Sequence, residues 1–185
     1  MDRGAELTIV GPVDAVLLIL LLLGGLSILI YVVRTGVPPM PTKPVMRSAM
    51  LSLLPERIDG VIYDLGSGWG GVAFALAKKY PENQVIGIEL SPLPWLWSCC
   101  RKRVQRRDNL TFYRRDLLKH DLREAGAITL YLMHGVLDRV TAKFREELRP
   151  GAIIISNTFA LPDWTPDHTG IVKLDAGNRV FRYVV

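Results

Sequence analysis

The chain is 185 residues long, the size of one hydrophobic core, and beyond its apolar N-terminal stretch there is little room for a second folded unit. Its two cysteines, Cys99 and Cys100, are adjacent, a spacing that argues against a disulfide framework and a zinc site and suits reduced thiols of an intracellular domain. A net charge of +5 fits an acidic partner, an anionic membrane surface or nucleic acid, and does not choose among them.

Residues 1–14 form a leader with Asp2, Glu6 and Asp14 against Arg3 alone. Residues 15–33, AVLLILLLLGGLSILIYVV, carry no charge and are long enough to cross a hydrocarbon core of about 30 Å as one helix. The competing explanations are a buried soluble helix and a cleaved signal peptide. A signal peptide has a basic leader, a shorter apolar core and a small-residue cleavage site, and an acidic leader also argues against a mitochondrial transit peptide. An uncleaved transmembrane helix is therefore expected. Gly24 and Gly25 lack the spacing of a helix-pairing motif and are taken as tolerated glycines. Arg34, Lys43, Arg47 and Arg57 follow the span. Cationic flanks tend to stay inside, which predicts a single-pass protein of the cell membrane with the bulk of the chain facing the cytoplasm. Residues 34–44 contain Pro38, Pro39, Pro41 and Pro44; these disfavour helix and predict an extended tether that holds a domain, 45–185, close to the bilayer.

In that domain Met46, Ala49, Met50, Leu53 and Leu54 recur at helical spacing until Pro55. Strands are expected over 61–63, 84–90, 110–115, 128–132 and 152–156. Helices are expected over 71–79, over 94–106 and along the face Val136, Leu137, Val140, Phe144 and Leu148. Such alternation predicts an α/β fold, a Rossmann-like, doubly wound and mostly parallel sheet with ligands at the carboxyl ends of its strands. Stretches 170–174 and 179–185 flank Asp175-Ala-Gly-Asn178, turn chemistry that predicts a C-terminal antiparallel hairpin.

The first strand runs into Asp64-Leu-Gly66-Ser-Gly68-Trp-Gly70-Gly71, where glycines permit a tight turn and close approach of a ligand. Gly66, Gly68 and Gly71 also satisfy the dinucleotide fingerprint, so an NAD-binding domain is a competitor. Asp64 favours another ligand: a pyrophosphate would meet unwanted negative charge there, whereas the ammonium of S-adenosylmethionine would be attracted. A plain strand-end or turn role for Asp64 is the alternative. Glu89 ends the second strand, where a carboxylate can accept both ribose hydroxyls of either ligand. Asp116 ends the third and can accept from an adenine amino group. Three acids on successive strand ends beside one glycine loop are more specific than any one of them.

With these residues in place the chain resembles the class I methyltransferases, and more narrowly the small membrane-anchored protein-lysine methyltransferase family whose mitochondrial members modify the ATP synthase c subunit and the adenine nucleotide translocase. The segments that carry the resemblance are Val37-Pro-Pro with Val45-Met-Arg47, Asp64-Leu-Gly-Ser-Gly68, Gly87-Ile-Glu89-Leu-Ser-Pro92, Phe112-Tyr113 with Asp116-Leu-Leu-Lys119 and Asp121-Leu122, and Phe159-Ala-Leu-Pro162-Asp-Trp164. The resemblance implies that Asp64, Gly66, Ser67, Gly68, Gly70, Glu89 and Asp116 bind S-adenosylmethionine and that Phe159, Pro162 and Trp164 border the acceptor. Trp69-Gly70-Gly71 departs from the acid followed by Gly-Arg that is usual in the family.

His134, just after the fourth strand, is a further acceptor-side candidate by its place at a strand end. His120, His134 and His168 are scattered without ligand spacing, so no metal is expected. Leu132-Met-His-Gly135 lacks the Asn/Asp-Pro-Pro-aromatic signature of amino-methylating DNA enzymes, which disfavours nucleic acid as partner. The run Arg101, Lys102, Arg103, Arg106, Arg107, Arg114 and Arg115 is a solvated helix end, a contact with anionic lipid or, third, a contact with nucleic acid. Trp95 and Trp97 are either core, interfacial anchors or a lid. The expected activity is methylation of a lysine on a membrane protein. The alternatives are a lipid or small hydrophobic acceptor, and a non-enzymatic or NAD-binding membrane module. No general base stands out, and no signal sets an oligomeric state.

Overall fold

The computed structural model describes residues 11–35, 40–172 and 178–185. Most of the leader, Gly36 to Pro39 of the tether and most of the hairpin turn, 173–177, lie outside the described residues.

Helix α1 (Pro12–Thr35) contains a 23-residue stretch of mean hydropathy 3.0, long and apolar enough to cross a membrane, and none of it is buried inside the protein. Among the described residues, its Gly24 lies against Leu93, and the Tyr31 hydroxyl accepts from Arg114 Nη2 at 3.0 Å. Helix α2 (Pro44–Ser52) opens on a proline at the one turn where a missing N–H is harmless. It buries Met46 and Met50.

Alternation then follows as β1 (Val61–Leu65), α3 (Gly71–Lys79), β2 (Val85–Glu89), α4 (Pro92–Gln105), β3 (Leu110–Arg114), a 3₁₀ turn (Leu117–Lys119), β4 (Ala125–Leu130), α5 (His134–Glu147), β5 (Ile153–Asn157), β6 (His168–Val172) and β7 (Asn178–Val184). The sheet order is β3-β2-β1-β4-β5-β7-β6. The first five strands are parallel, and β7 runs antiparallel to both neighbours. Strand order therefore reverses at β1, between β2 and β4, and that reversal opens a crevice at the carboxyl ends.

Strand alternation divides the core between two faces. Tyr63, Leu65, Ile128 and Leu130 pack with Leu137, Val140 and Phe144 of α5; Ile62, Val85 and Ala127 pack with Met46, Met50, Phe74 and Leu76 of α2 and α3. The expected doubly wound fold and C-terminal antiparallel pair are both present, with several element ends shifted by one to three residues. The fourth strand begins at Ala125, three residues before the expected 128. Its opening Ala125-Gly126 is small because a Cβ on Gly126 would come within 2.0 Å of the Asp59 carbonyl oxygen, so a search for bulky β-formers passes over it. Helix α4 starts at Pro92, two residues before the expected 94, because Pro92 suits a first helical turn.

Candidate active site

At the end of β1, Asp64 is only 4% exposed. Its Oδ2 accepts the Ala73 amide at 3.0 Å, and its Oδ1 accepts the hydroxyl of Thr129, its register partner in β4, at 2.9 Å. Burial pushes the carboxyl up to about 7, the nearby Glu89 charge adds to the rise, and the two hydrogen bonds oppose it.

The glycine loop is tied to β2, since the amides of Gly66 and Ser67 both donate to the Ile88 carbonyl at 2.9 and 3.0 Å. Gly68 has φ 50°, and a Cβ there would find nothing nearer than the Gly66 oxygen at 4.0 Å, so the space above the loop is open to a ligand. Gly70 differs. At φ 77° it begins α3, and a Cβ would lie 2.9 Å from both Phe112 and Ser98, so it permits packing beneath the loop. Ser67 is buried beside Gly87, and its Oγ has no partner among the described residues.

Glu89 links the loop to α4: Oε2 accepts the Gly68 amide at 2.8 Å and Oε1 the Ser91 amide at 2.7 Å. A carboxylate offers about four lone-pair sites, which leaves one on each oxygen for a pair of hydroxyls. Asp116 caps the 3₁₀ turn through Oδ1, which accepts the Leu118 amide at 3.0 Å.

Asp64, Gly66, Gly68, Glu89 and Asp116 line one cavity of about 260 Å³, together with the apolar side chains of Leu90, Leu117, Leu130 and Leu132. Phe159, expected on the acceptor side, lines it as well. Its ring stacks on Tyr131 with centroids 6.2 Å apart and planes 20° apart. His134 is exposed, outside the lining, and meets the Phe159 ring edge-on at 4.8 Å. Pro162 and Trp164 are not in the lining either. Trp164 is half-buried against the Tyr183 ring at 6.2 Å, with the Arg145 guanidinium 6.0 Å from its centroid. Of the residues expected to bind cofactor, Ser67 and Gly70 support the loop from below without lining the cavity.

The cavity also includes Tyr131, Met133, Arg115 and Arg139, and three residues of the tether, Arg34, Met40 and Thr42. Tyr131 and Met133 carry a signal in the sequence, because they lie at the carboxyl end of the fourth strand, where ligands bind. Arg34, Met40 and Thr42 had none, since prolines predict only an extended connection.

Residues 64–168 match the ANTKMT methyltransferase domain. The chain belongs to that family. It is 27% identical over 161 residues to the protein-lysine N-methyltransferase of Saccharolobus islandicus (strain REY15A), covering 84% of this chain and 96% of that one. It is 35% identical over 120 residues to the adenine nucleotide translocase lysine N-methyltransferase of Mus musculus, covering 63% of this chain and about half, 51%, of the mouse enzyme. Among solved structures, an RNA methyltransferase from Salinibacter ruber in complex with S-adenosyl-L-homocysteine superimposes with a TM-score of 0.69 at 29% identity, covering 79% of this chain and 94% of that one. The protein is thus an S-adenosylmethionine-dependent methyltransferase with a Rossmann-like fold, and the dinucleotide alternative falls. The site fits this cofactor: the open space over Gly68, the spare acceptor positions of Glu89 and the buried carboxyl of Asp64 meet in one cavity.

Proposed function

We propose that this enzyme methylates the ε-amino group of a lysine on a membrane or membrane-proximal protein. The observation that carries the proposal is the sharing of one cavity by the acidic strand ends and the Tyr131–Phe159 stack; the lysine named in both relatives supports it. When bound, S-adenosylmethionine would supply an activated methyl group for the amine, with its sulfur as the leaving atom that keeps the bond's electron pair. Asp64, Glu89 and Asp116 bind and orient. The aromatic pair excludes water and leaves alignment to supply most of the rate.

Lysine has a reference pKa near 10.4, so only on the order of one amine in a thousand is neutral near pH 7. Two features of the cavity favour the neutral form: apolar walls desolvate an incoming ammonium, and the guanidiniums of Arg34, Arg115 and Arg139 in the same lining repel it. The released proton goes to solvent. Pro162 and Trp164 then act by holding the segment that presents Phe159, and His134 by buttressing its ring.

The proposal includes the placement of the parts: a leader over 1–14, a single membrane span over 15–33, a tether over 34–44 and a catalytic domain over 45–185. The Lys and Arg residues that follow α1 favour a domain facing the cytoplasm from the cell membrane. To test the acceptor, the protein is incubated with labelled S-adenosylmethionine and membranes from a strain that lacks it. Label is expected in methyl-lysine after hydrolysis of the protein fraction. Label confined to the lipid extract or to RNA would refute a protein acceptor.

A further inference from the structure

Helix α4 is apolar on two sides. Inward, Pro94 and Ser98 are buried, and Trp95 and Cys99 pack against the core. Outward, Leu93 stands three and four residues before Leu96 and Trp97, Cys100 three after Trp97, and Val104 four after Cys100, which places the five along one stripe of the helix. Leu96 is 51% exposed, Trp97 58% and Val104 82%, and Cys100 is exposed and unpaired. Single exposed apolar residues are ordinary, but a continuous stripe marks a contact surface.

Cations border this stripe. By helical spacing Arg101 falls on one flank, its guanidinium over the Phe74 ring at 4.3 Å, and Arg103 on the other; Arg106, Arg107 and Arg114 lie outside the helix, with the Arg107 Nε buried. None of the five forms a salt bridge with another described residue. An apolar centre that includes a tryptophan, between cationic margins, has the chemistry of a helix lying in a membrane interface. A nucleic-acid surface would put cations, not leucine and valine, at its centre. At the exit end of α1 the Tyr31 hydroxyl accepts from Arg114, so the margin of the stripe begins where the span would leave the bilayer.

We propose that α4 is a second membrane element, docked on a bilayer containing anionic phospholipid, with its apolar stripe at the acyl boundary and its cations among the headgroups. The proposal rests on α1 being a membrane span. Leu90 and Ser91, just before α4, line the active-site cavity, so docking α4 fixes the cavity relative to the bilayer. A span joined through a tether would restrict distance; α4 would restrict orientation.

The test uses the full-length protein in vesicles of phosphatidylcholine with a minor fraction of phosphatidylglycerol. A nitroxide is placed on the native Cys100 in a Cys99→Ser background. Reference labels are placed at Leu21→Cys in α1 and at Glu82→Cys, an exposed residue in the turn before β2, both in a background with Cys99 and Cys100 replaced by serine. Relaxation by lipid-soluble oxygen and by a water-soluble nickel chelate is then compared. The Cys100 and Leu21 labels should favour oxygen and the Glu82 label nickel. In a Leu96→Glu/Val104→Glu variant that still binds S-adenosylmethionine, the Cys100 label should lose its preference for oxygen. A Cys100 label that favours nickel, that is shielded from both agents as against another protein, or that is unmoved by the double variant overturns the proposal. If Leu21 stays in lipid in those cases, only the role of α4 fails; if Leu21 also favours nickel, the span itself fails.

Discussion

Both carboxylate oxygens of Asp64 are occupied, one by the Ala73 amide and one by the Thr129 hydroxyl, yet burial still raises its pKa from 3.8 to about 7. Between those two values the unfolded chain has released a proton that the folded chain keeps. Stability of the ligand-free protein should therefore fall as pH rises from about 4 to about 7, then level off. A cationic ligand in the cavity reverses the preference, because it favours the carboxylate and expels the proton on binding. Affinity for S-adenosylmethionine should therefore increase from pH 6 to pH 8, with proton release measurable by calorimetry in buffers of different ionisation enthalpy. Asp64→Asn should bind more weakly and abolish the pH dependence. A flat profile in the unmodified protein would show that Asp64 does not sense the ligand.

Glu89 acts between elements, since it joins the glycine loop after β1 to the start of α4. Glu89→Ala removes two amide acceptors and the ribose acceptors together. It should weaken S-adenosylmethionine binding by about 1.5–3 kcal/mol, the range for hydrogen bonds to a charged group. Unchanged affinity by titration calorimetry would remove the ribose assignment. The sequence revealed Asp64, Glu89 and Asp116 because each ends a strand of recognisable pattern, and chain position then fixes place in an α/β sheet. It was less informative where small residues or loops decide the outcome. Ala125 and Gly126 hid the start of β4. The packing of Trp164 on Tyr183 is a long-range contact that nothing in the local sequence encodes. The insertion of β7 between β5 and β6 is a long-range pairing, although turn chemistry showed that the last two strands form a hairpin.

At the scale of the whole molecule, the two core clusters include α2 but no residue of α1, so the sheet and its covering helices form a unit that does not need α1 for its core. Deleting residues 1–36 should therefore leave a folded domain that binds S-adenosylmethionine. The cut removes Arg34 from the cavity lining but keeps Met40 and Thr42. A deletion extended to residue 53 should fail differently: it takes Met46 and Met50, each no more than 2% exposed, and losing two buried methionines costs about 2–5 kcal/mol apiece, a large part of a typical domain's stability. The shorter deletion then isolates what α1 contributes to turnover. Confinement to a bilayer can raise the effective concentration of a membrane acceptor into the millimolar range, so at limiting enzyme the 1–36 deletion should methylate membrane acceptors about a hundredfold more slowly. Adding more truncated protein should restore part of the rate, because encounter and not chemistry has been lost. The comparison is initial rate of label incorporation into native membranes at equal, limiting enzyme, with affinity for S-adenosylmethionine measured on the same samples. Equal rates would mean that α1 does not deliver the active site to its acceptor. A deletion protein that no longer binds S-adenosylmethionine would instead place part of the cofactor site in the first 36 residues, with Arg34 the residue to restore first.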